Sequence, residues 1–369
     1  MKSKVFFASM RASIKESTLE KIKILLEKVE LSKKLKDKDM VAIKLHFGEK
    51  GNTSYVRPVF LRPIVEKVKE AKAKPFLTDA NTLYIGSRGN AYDHMQTAIE
   101  NGFAYSVVGA PIIIADGLKS TSSTAVDINL EHTKSAHIGS EIVNSDAFIG
   151  ISHFKCHELT GFGGTIKNIG MGSACRRGKL FMHSTVAPFV DSEACTACED
   201  CLSHCAHTAI SMSGEGKAHI DPETCVGCGE CILVCSSGCI KINWNESVPT
   251  VQKKIVEYTH AVLKGKENKS VFLNFITQVS PACDCYGYND APIVPDIGIV
   301  ASTDPVAIDQ ASADLVNNEI GFSNSALKSG HDKGGDKFKG VYDYIDWDIQ
   351  LDYAEKIGLG QRDYELIKI

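Results

Sequence analysis

The sequence predicts an α/β protein with a layered, largely parallel sheet, into which a small α+β module is inserted. Short apolar stretches typical of buried strands alternate with stretches in which apolar residues recur at helical spacing. A cysteine-rich stretch interrupts this alternation. The chain has 369 residues, 43% of them hydrophobic, enough for a large domain and a small one. We predict an α/β domain made of residues 1–188 and 244–369, with the module at 189–243.

The first part of the chain supplies the first strands and helices of the predicted α/β domain. Its short apolar stretches predict strands, and its periodic stretches predict helices, one of which begins near Pro58, a residue suited to a first turn. The predicted strands are 5–8, 40–46, 75–79 and 111–115, and the predicted helices are 16–31, 57–73 and 94–102. A turn that leads into a further buried strand is predicted at 141–151.

The same alternation resumes after the cysteine-rich stretch. Residues 249–264 predict a helix, and 269–276 and 297–301 predict strands. A last helix is predicted to run from Asp304, a suitable N-cap followed by Pro305, to about Asn318. Between the two halves, residues 153–188 lose their periodicity and gain glycine, so we expect irregular structure there.

Eight of the thirteen cysteines form an internal repeat. The spacing Cys-x2-Cys-x2-Cys-x3-Cys occurs twice, with each cysteine recurring thirty residues later. The members are Cys195, Cys198, Cys201 and Cys205, followed by Cys225, Cys228, Cys231 and Cys235. This stretch resembles the bacterial two-cluster ferredoxins, in which the fourth cysteine of each set binds the other cluster.

The resemblance implies two [4Fe–4S] clusters with exchanged fourth ligands. One would be held by Cys195, Cys198, Cys201 and Cys235, and the other by Cys225, Cys228, Cys231 and Cys205. Ala206 and Ser236 replace the proline that usually follows each fourth cysteine. The alternative is a pair of structural zinc sites, which more often use two separated cysteine pairs. We expect Cys239 to be a small buried core residue, and residues 212–221 to form a hairpin.

A second group of candidate residues lies at 152–183. Lys155, His157 and Lys167 are candidate acid–base groups. The glycines and the basic residues Arg176, Arg177 and Lys179 favour a binding loop for an anionic substrate or cofactor. The alternative is a glycine-rich surface loop with a solvated basic end. His153 and His157 are spaced as ligands on a helix would be, although a structural role is more common for such residues, and no role is assigned to Cys156 or Cys175.

Cys283 and Cys285 form a third group. One residue separates them, so on an extended segment both thiols would lie on the same side. The pair could belong to an additional metal site, bind an anionic cofactor, act as a redox pair or carry sulfur. The alternative is two buried apolar thiols.

Polar residues also follow two predicted strands. Lys44 and His46 stand at the end of one, and Asp79 and Asn81 at the end of another. Open α/β sheets bind ligands at the carboxyl ends of their strands. The alternative is the ordinary polarity of loops.

Several motifs resemble the uncharacterised iron–sulfur proteins of domain-of-unknown-function family 362. They are Leu-His-Phe-Gly-Glu at 45–49, Thr-Asp-Ala-Asn-Thr-Leu-Tyr at 78–84, Gly-Gly-Thr-Ile-Lys-Asn-Ile-Gly-Met-Gly at 163–172, Cys-Asp-Cys at 283–285 and Ser-Thr-Asp-Pro-Val-Ala-Ile-Asp at 302–309. The resemblance implies a cytoplasmic bacterial or archaeal protein. It implies no reaction and no catalytic residue.

Composition narrows the classes of function. The net charge is −4 and no long run of Lys and Arg occurs, which argues against nucleic-acid binding. No stretch of about 18 apolar residues predicts a membrane span. The N-terminal apolar run is too short for a secretory signal, so we expect a cytoplasmic location.

We therefore expect a redox enzyme whose two clusters pass electrons to or from a small anionic substrate at the α/β domain. The candidate catalytic residues are Lys155, His157, Lys167, Cys283 and Cys285. One alternative is an electron-transfer protein or redox subunit that docks a partner protein and has no catalysis of its own. A less favoured one is a regulatory or assembly protein that responds to iron or oxygen.

Overall fold

The computed structural model describes residues 2–14 and 16–369. Its main sheet has seven strands in the order β15-β1-β14-β13-β6-β2-β3, and shorter strands form four two-stranded sheets. In chain order the strands are β1 (Ser3–Ser9), β2 (Met40–Lys44), β3 (Lys74–Thr78), β4 (Ser123–Asp127), β5 (Ser135–Gly139), β6 (Ala147–His153), β7 (Lys155–His157), β8 (Gly161–Gly163), β9 (Phe189–Val190), β10 (Ile210–Met212), β11 (Ala218–Ile220), β12 (Ile240–Lys241), β13 (Ser270–Ile276), β14 (Gly298–Ser302) and β15 (Tyr364–Lys368).

Six strands of the main sheet run in the same direction, and β14 is antiparallel to both of its neighbours. The α/β class with a largely parallel sheet is thereby confirmed. A parallel neighbour requires a crossover connection, whereas an antiparallel neighbour does not. The chain passes from β13 to β14 through a loop with no assigned helix, which suits the antiparallel pairing.

Helices cover both faces of this sheet. In chain order the α-helices are α1 (Thr18–Lys28), α2 (Leu31–Lys34), α3 (Leu61–Glu70), α4 (Ala91–Ala98), α5 (Tyr105–Val108), α6 (Ser140–Val143), α7 (Thr165–Ser173), α8 (Arg176–His183), α9 (Asp200–Ser203), α10 (Glu230–Val234), α11 (Val248–Leu263), α12 (Pro305–Asn317), α13 (Lys337–Val341) and α14 (Asp348–Lys356). The core on one face includes residues of α1 and α3, and the core on the other includes residues of α7, α11 and α12. Within the described residues, no helix has the length and apolar character needed to cross a membrane.

Most predicted elements coincide with observed ones to within a few residues, but the strand predicted at 111–115 is absent from the assigned strands of the described chain. This segment runs beside β3 and forms a single parallel bridge between Ile112 and Leu77. The carbonyl of Pro111 accepts a hydrogen bond from the Leu77 amide, and the Ile113 amide donates to the Leu77 carbonyl. Proline has no amide hydrogen to donate, and is usually confined to sheet edges such as this one.

The expectation of irregular structure at 153–188 is also wrong, and it covers more residues than the error at 111–115. This stretch contains the β7–β8 hairpin and the helices α7 and α8. Its glycines serve close packing between elements. A Cβ on Gly170 would lie 2.1 Å from the carbonyl oxygen of Ile255 in α11, and one on Gly178 would lie 2.7 Å from that of His137. Because glycines occupy positions where apolar side chains would otherwise recur, the sequence of α7 and α8 shows little helical periodicity.

The predicted module leaves and re-enters the α/β domain at neighbouring points. β9 pairs with β12, and the Thr185 amide donates to the side-chain oxygen of Asn245 over 3.1 Å. Between these ends lie the short helices α9 and α10 and the expected hairpin, formed by β10 and β11. A separate apolar cluster combines module cysteines with Leu83 and Leu180 of the α/β domain. The module therefore packs directly on that domain.

Candidate functional site

A large cavity lies beyond the carboxyl ends of the parallel strands. Loops that follow β2, β3, β6 and β13 contribute to its wall, and it encloses about 1590 Å³ including its open mouth. All five candidate catalytic residues line it, although they are widely separated in the sequence. They are Lys155, His157, Lys167, Cys283 and Cys285. The fold thus places two of the sequence-defined groups in one site.

The polar residues at the ends of β2 and β3 belong to the same cavity. Lys44 and Asp79 form a buried ion pair over 2.9 Å, and His46 also lines the wall. Burial lowers the pKa of Lys44, and Asp79 counteracts part of that effect. Burial and the Arg88 charge hold the pKa of His46 well below its usual value, so this imidazole is neutral. Asn81 instead bonds Asp116 at 2.9 Å.

Asp284 fixes the segment that carries the two cysteines. It is fully buried, with His153 Nδ1 at 2.9 Å from one carboxylate oxygen and Lys155 Nζ donating to the other over 2.8 Å. Burial alone would raise the pKa of Asp284, but His153 and Lys155 outweigh it and hold the pKa far below its ordinary value. The neighbouring backbone is held too, because the Glu49 amide donates to the Asp284 carbonyl. His153 is therefore a structural partner of Asp284.

Cys283 and Cys285 both line the cavity. Lys167 donates a hydrogen bond to the sulfur of Cys283 over 3.5 Å. A hydrogen bond from Cys285 is the main cause that holds the pKa of Cys283 well below its usual value, and Lys167 and His157 lower it further despite burial. The same bond and burial raise the pKa of Cys285. Of the two cysteines, Cys283 therefore has the lower pKa and the greater tendency to form a thiolate.

Lys167 reaches the cavity from the first turn of α7. Asp309 of α12 accepts hydrogen bonds from the amides of Thr165 and Ile166, over 2.7 and 2.9 Å. These are the amides that an anion-binding loop would offer to a ligand. The predicted anion-binding loop is thus a helix whose N-terminus is occupied by a protein carboxylate, and its basic side chains rather than its amides face the cavity.

The three basic residues at the end of this stretch, Arg176, Arg177 and Lys179, have different surroundings. Lys179 lines the cavity, donates to the carbonyls of Asn81 and Ala174 over 2.8 and 2.6 Å, and has its pKa lowered to about 8 by burial. Arg176 is buried and points toward the module, as described below. Arg177 is exposed. Only one of these three side chains therefore contributes to the cavity wall in the described chain.

Sequence reasoning missed several residues of the wall. Tyr84 and Arg88 lie in the loop after β3, and Arg88 pairs with Glu49 over 3.2 Å. His183 packs edge-on against Trp244, with 4.8 Å between the ring centres, and burial lowers the pKa of His183 to about 3. Both rings also line the cavity. The position of Arg88 after a strand end was a usable signal, whereas no local pattern pointed to Trp244.

The wall carries an excess of positive charge. Five cationic side chains line the cavity, namely Lys44, Arg88, Lys155, Lys167 and Lys179, and among its described lining residues the carboxylates are Asp79 and Glu158. Lys44, Arg88 and Lys155 have carboxylate partners. Within the described chain, Lys167 pairs with no carboxylate and its bond goes to Cys283. A small anion would find complementary charge here.

The module cysteines fall into two spatial groups. Burial raises the pKa of Cys201, with further contributions from the nearby sulfurs of Cys235 and Cys198. The sulfur of Cys235 lies 3.3 Å from that of Cys239. The backbone amides of Ala218 and Ala197 lower the pKa of Cys195, and Cys239 lowers it further. Cys239 is buried, as expected of a core residue, but it also touches this sulfur group.

The second group surrounds a small cavity of about 370 Å³, lined by Cys205, Cys225, Cys228 and Cys231. Burial raises the pKa of Cys225, and the nearby sulfurs of Cys228 and Cys205 raise it further. Cys205 therefore lies with the second half of the repeat, and Cys235 with the first half. An exchange of fourth ligands would require this grouping, and the exchange itself stays a prediction.

The arrangement of the module cysteines is compatible with four-iron clusters, although it offers no site for a single metal ion in the described residues. Within residues 2–14 and 16–369, no three His, Cys, Asp or Glu side chains converge on a point where one metal ion could sit. In a [4Fe–4S] cluster each thiolate binds a different iron, so the four sulfurs need not converge in this way. Eight cysteines in two groups of four supply the required soft donors.

The second sulfur group lies on the side of the module that contacts the α/β domain. Arg176 donates to Glu230 of α10 over 2.9 Å and to the carbonyl of Gly89 over 2.6 Å. Cys228 is close enough to Arg176 to raise its pKa, although burial lowers that pKa overall. Leu83 packs in the apolar cluster of the module and also lines the large cavity. Leu83 therefore belongs both to the cavity wall and to the apolar cluster of the module.

Comparisons with known proteins give a family but no activity. A family model described as "Domain of unknown function (DUF362)" matches residues 41–314. No curated protein matches the chain.

Two solved structures align with the chain at low similarity. The lactate racemase apoprotein from Thermoanaerobacterium thermosaccharolyticum shares 14% identity and a TM-score of 0.35, covering 69% of this chain and 49% of its own. A structural-genomics protein from Thermotoga maritima shares 12% identity and a TM-score of 0.36, covering 70% and 50%. The alignments span about half of those proteins, and at these scores they support no argument about this one.

Proposed function

The chain belongs to the DUF362 family, whose description names no function, and from its site we propose that it is an iron–sulfur redox enzyme. Two [4Fe–4S] clusters in residues 189–243 would exchange electrons with a small anionic substrate in the large cavity. The observation that carries the proposal is the position of Leu83, which belongs to the apolar side-chain cluster of the module and also lines the cavity.

The cysteines support the first half of the proposal. Their doubled spacing is specific for two-cluster ferredoxins, and their grouping pairs Cys205 with the second set and Cys235 with the first. When bound, such clusters supply electrons one at a time. The group lined by Cys205, Cys225, Cys228 and Cys231 faces the α/β domain, so it would stand nearer to the substrate.

The cavity supports the second half. Its excess of cationic side chains favours an anion, and the half-buried position of Lys167 limits the screening of its charge by solvent. Lys155 is engaged by Asp284, Lys44 by Asp79, and Lys179 by backbone carbonyls. Lys167 is therefore the cation best placed to bind substrate oxygens. His157 lies beside Cys283 and could move a proton to or from it.

A carrier without catalysis would need only the module and a docking surface. A cavity of this size, with two cysteines, four lysines and a neutral imidazole in its wall, has no role in such a carrier. This is the reason for preferring an enzyme.

The test uses protein prepared without oxygen. We expect about eight irons and eight sulfides per chain. After reduction with dithionite and its removal, small carboxylic acids and thiol compounds are screened for reoxidation of the clusters by their visible absorbance. Lys167→Met and the Cys283→Ser/Cys285→Ser double variant should keep the iron and lose the substrate-driven reoxidation.

A surface variant, Lys28→Met, serves as the matched control and should behave like the unmodified protein, because Lys28 is exposed on α1. Far fewer irons per chain, or zinc in their place, would refute the cluster proposal. Full reoxidation rates in both cavity variants would refute the assignment of the substrate to this cavity.

A further inference from the structure

The two cavity cysteines have unequal surroundings. Cys283 is almost fully buried and its sulfur accepts a hydrogen bond from Lys167. Cys285 is partly exposed and hydrogen-bonds Cys283. An ammonium group beside a thiol favours its thiolate form, which is the nucleophile in sulfur chemistry. The Lys167 contact therefore marks Cys283 as the better nucleophile of the pair.

The backbone holds this pair in place. Asp284 lies between the cysteines and is anchored by His153 and Lys155, while its carbonyl accepts from the Glu49 amide. The two sulfurs flank an anchored residue and share the cavity.

Two neighbouring sulfurs, one a thiolate and one a thiol, are what thiol–disulfide exchange requires. The first opens a substrate disulfide, and the second resolves the resulting mixed disulfide. A single activated cysteine would suffice for most other covalent reactions. The cationic wall adds a preference for a negatively charged molecule.

We propose that Cys283 and Cys285 form a thiol–disulfide exchange centre whose substrate is a small anionic disulfide. The Cys283 thiolate attacks one substrate sulfur, the substrate S–S bond breaks, and the other half leaves as a thiolate. Cys285 then loses its proton to a leaving thiolate and attacks the Cys283 sulfur. The second half departs as a thiolate, and a Cys283–Cys285 disulfide remains.

Two electrons and one proton restore the starting thiolate and thiol. This last step rests on the proposed function, because the iron–sulfur module would be the reductant, one electron coming from each cluster. The net change converts one disulfide, two electrons and one proton to one thiol and one thiolate, and the released thiolate can take a further proton from water. Two one-electron centres match the requirement of this two-electron step.

The test detects the mixed disulfide on Cys283 directly and does not depend on catalytic turnover. Holoprotein is incubated without oxygen with dithiodipropionate, a dicarboxylate disulfide. In Cys285→Ser, which lacks the resolving thiol, we expect one mercaptopropionate to accumulate on Cys283, seen by intact mass and peptide mapping. Unmodified protein should instead form the internal disulfide and release two mercaptopropionates.

Controls separate this pair from the other thiols. Cys283→Ser should acquire no adduct on Cys285. Cys156→Ala should behave like the unmodified protein, because Cys156 is buried in the apolar core. The neutral disulfide dithiodiethanol should react about tenfold more slowly than the dicarboxylate, if the cationic wall concentrates anions.

The outcomes are distinguishable from failure of the proposed function, because iron and sulfide are measured on the same samples. Loaded clusters with no adduct on Cys283 would overturn the exchange centre and leave the cluster proposal intact. An adduct and an internal disulfide in protein without iron would support the exchange centre and refute the cluster proposal. Equal adducts on both single variants would overturn the assigned roles, and equal rates with the neutral disulfide would overturn the anionic substrate.

Discussion

Asp309 caps a helix that belongs to a distant part of the chain, since its carboxylate accepts a hydrogen bond from the Thr165 amide over 2.7 Å. It also accepts from the Ile166 amide and from the side chain of Asn274. The first turn of α7 carries Lys167 into the cavity, so a residue on α12 determines where that ammonium lies.

Replacing Asp309 with alanine should therefore affect both stability and the site. We expect a loss of about 1–2 kcal/mol in the free energy of unfolding, the usual cost of losing a helix cap. Asp309→Asn keeps one acceptor oxygen and should lose less. Urea unfolding gives the energies, and equal stability of Asp309→Ala and the unmodified protein would contradict the capping role.

The Cys283 thiol should react with iodoacetamide at pH values well below the ordinary thiol pKa of 9.0, because Cys285 and Lys167 hold its pKa down. Lys167→Met should raise that pKa and shift the labelling curve to higher pH. Peptide mass spectrometry at a series of pH values measures the curve. Cys156 should stay unlabelled, since burial raises its pKa, and an unchanged curve in Lys167→Met would contradict the contact.

Two buried carboxylates should make the protein sensitive to acid. The charge of Lys44 holds the pKa of Asp79 well below 3.8 despite burial, and His153 and Lys155 do the same for Asp284. A folded-state pKa below the unfolded value adds stability that is complete above the unfolded pKa. That stability is lost as pH falls below it toward the folded value.

We therefore expect the contribution of these groups to be constant from pH 7 to about 5 and to decline below about 4. Asp79→Asn and Asp284→Asn should lower stability at pH 7 by about 3 kcal/mol each, by leaving a buried cation unpaired, and should flatten the decline. Urea unfolding at several pH values measures both effects. Asp37→Asn, at an exposed position, is the control, and an unchanged acid slope in both variants would count against this account.

Gly170→Ala should destabilise the protein, although alanine favours a helix over glycine by about 1 kcal/mol. The new Cβ would lie 2.1 Å from the Ile255 carbonyl oxygen, so α7 and α11 would have to separate. We expect a net loss of about 1–2 kcal/mol. Gly214→Ala, where nothing lies within 4 Å, should be nearly neutral. Thermal or urea unfolding decides, and a gain of stability in Gly170→Ala would refute the close contact.

Arg176→Met should loosen the module. It removes the bond to Glu230 and leaves the carbonyl of Gly89 without that donor, at a cost of about 3 kcal/mol typical of a broken buried pair. Hydrogen exchange should rise across 189–243 while the iron content stays unchanged. The neighbouring Arg177→Met, at an exposed position, should have little effect. Equal exchange in the two variants would show that the ion pair does not hold the module.

The sequence predicted the fold where apolar periodicity was strong. Asp304 was expected to cap the last helix of the 249–318 region, and its side chain accepts from the amides of Val306 and Ala307. The two helices α7 and α8 were not predicted, because glycines such as Gly170 stand where larger apolar side chains would normally indicate a buried face. Glycine is needed at position 170 because α11 lies so close, and a local sequence pattern carries no information about that distance.

The candidate site was predicted in pieces but not as a whole. Lys155, His157, Lys167 and the Cys283–Cys285 pair were each recognised from residue type and spacing, and the sheet edge brings them together. Trp244 and His183 were missed because their contact depends on how the module returns to the α/β domain. Asp284 looked like a spacer, and its anchoring role depends on burial beside His153 and Lys155.

The pairing of β9 with β12 has a consequence for the main sheet. Because the chain departs and returns at adjacent positions, a short splice between them would close the path of the α/β domain. All seven strands of the main sheet lie outside residues 189–243, so a chain shortened in this way would keep every strand of that sheet.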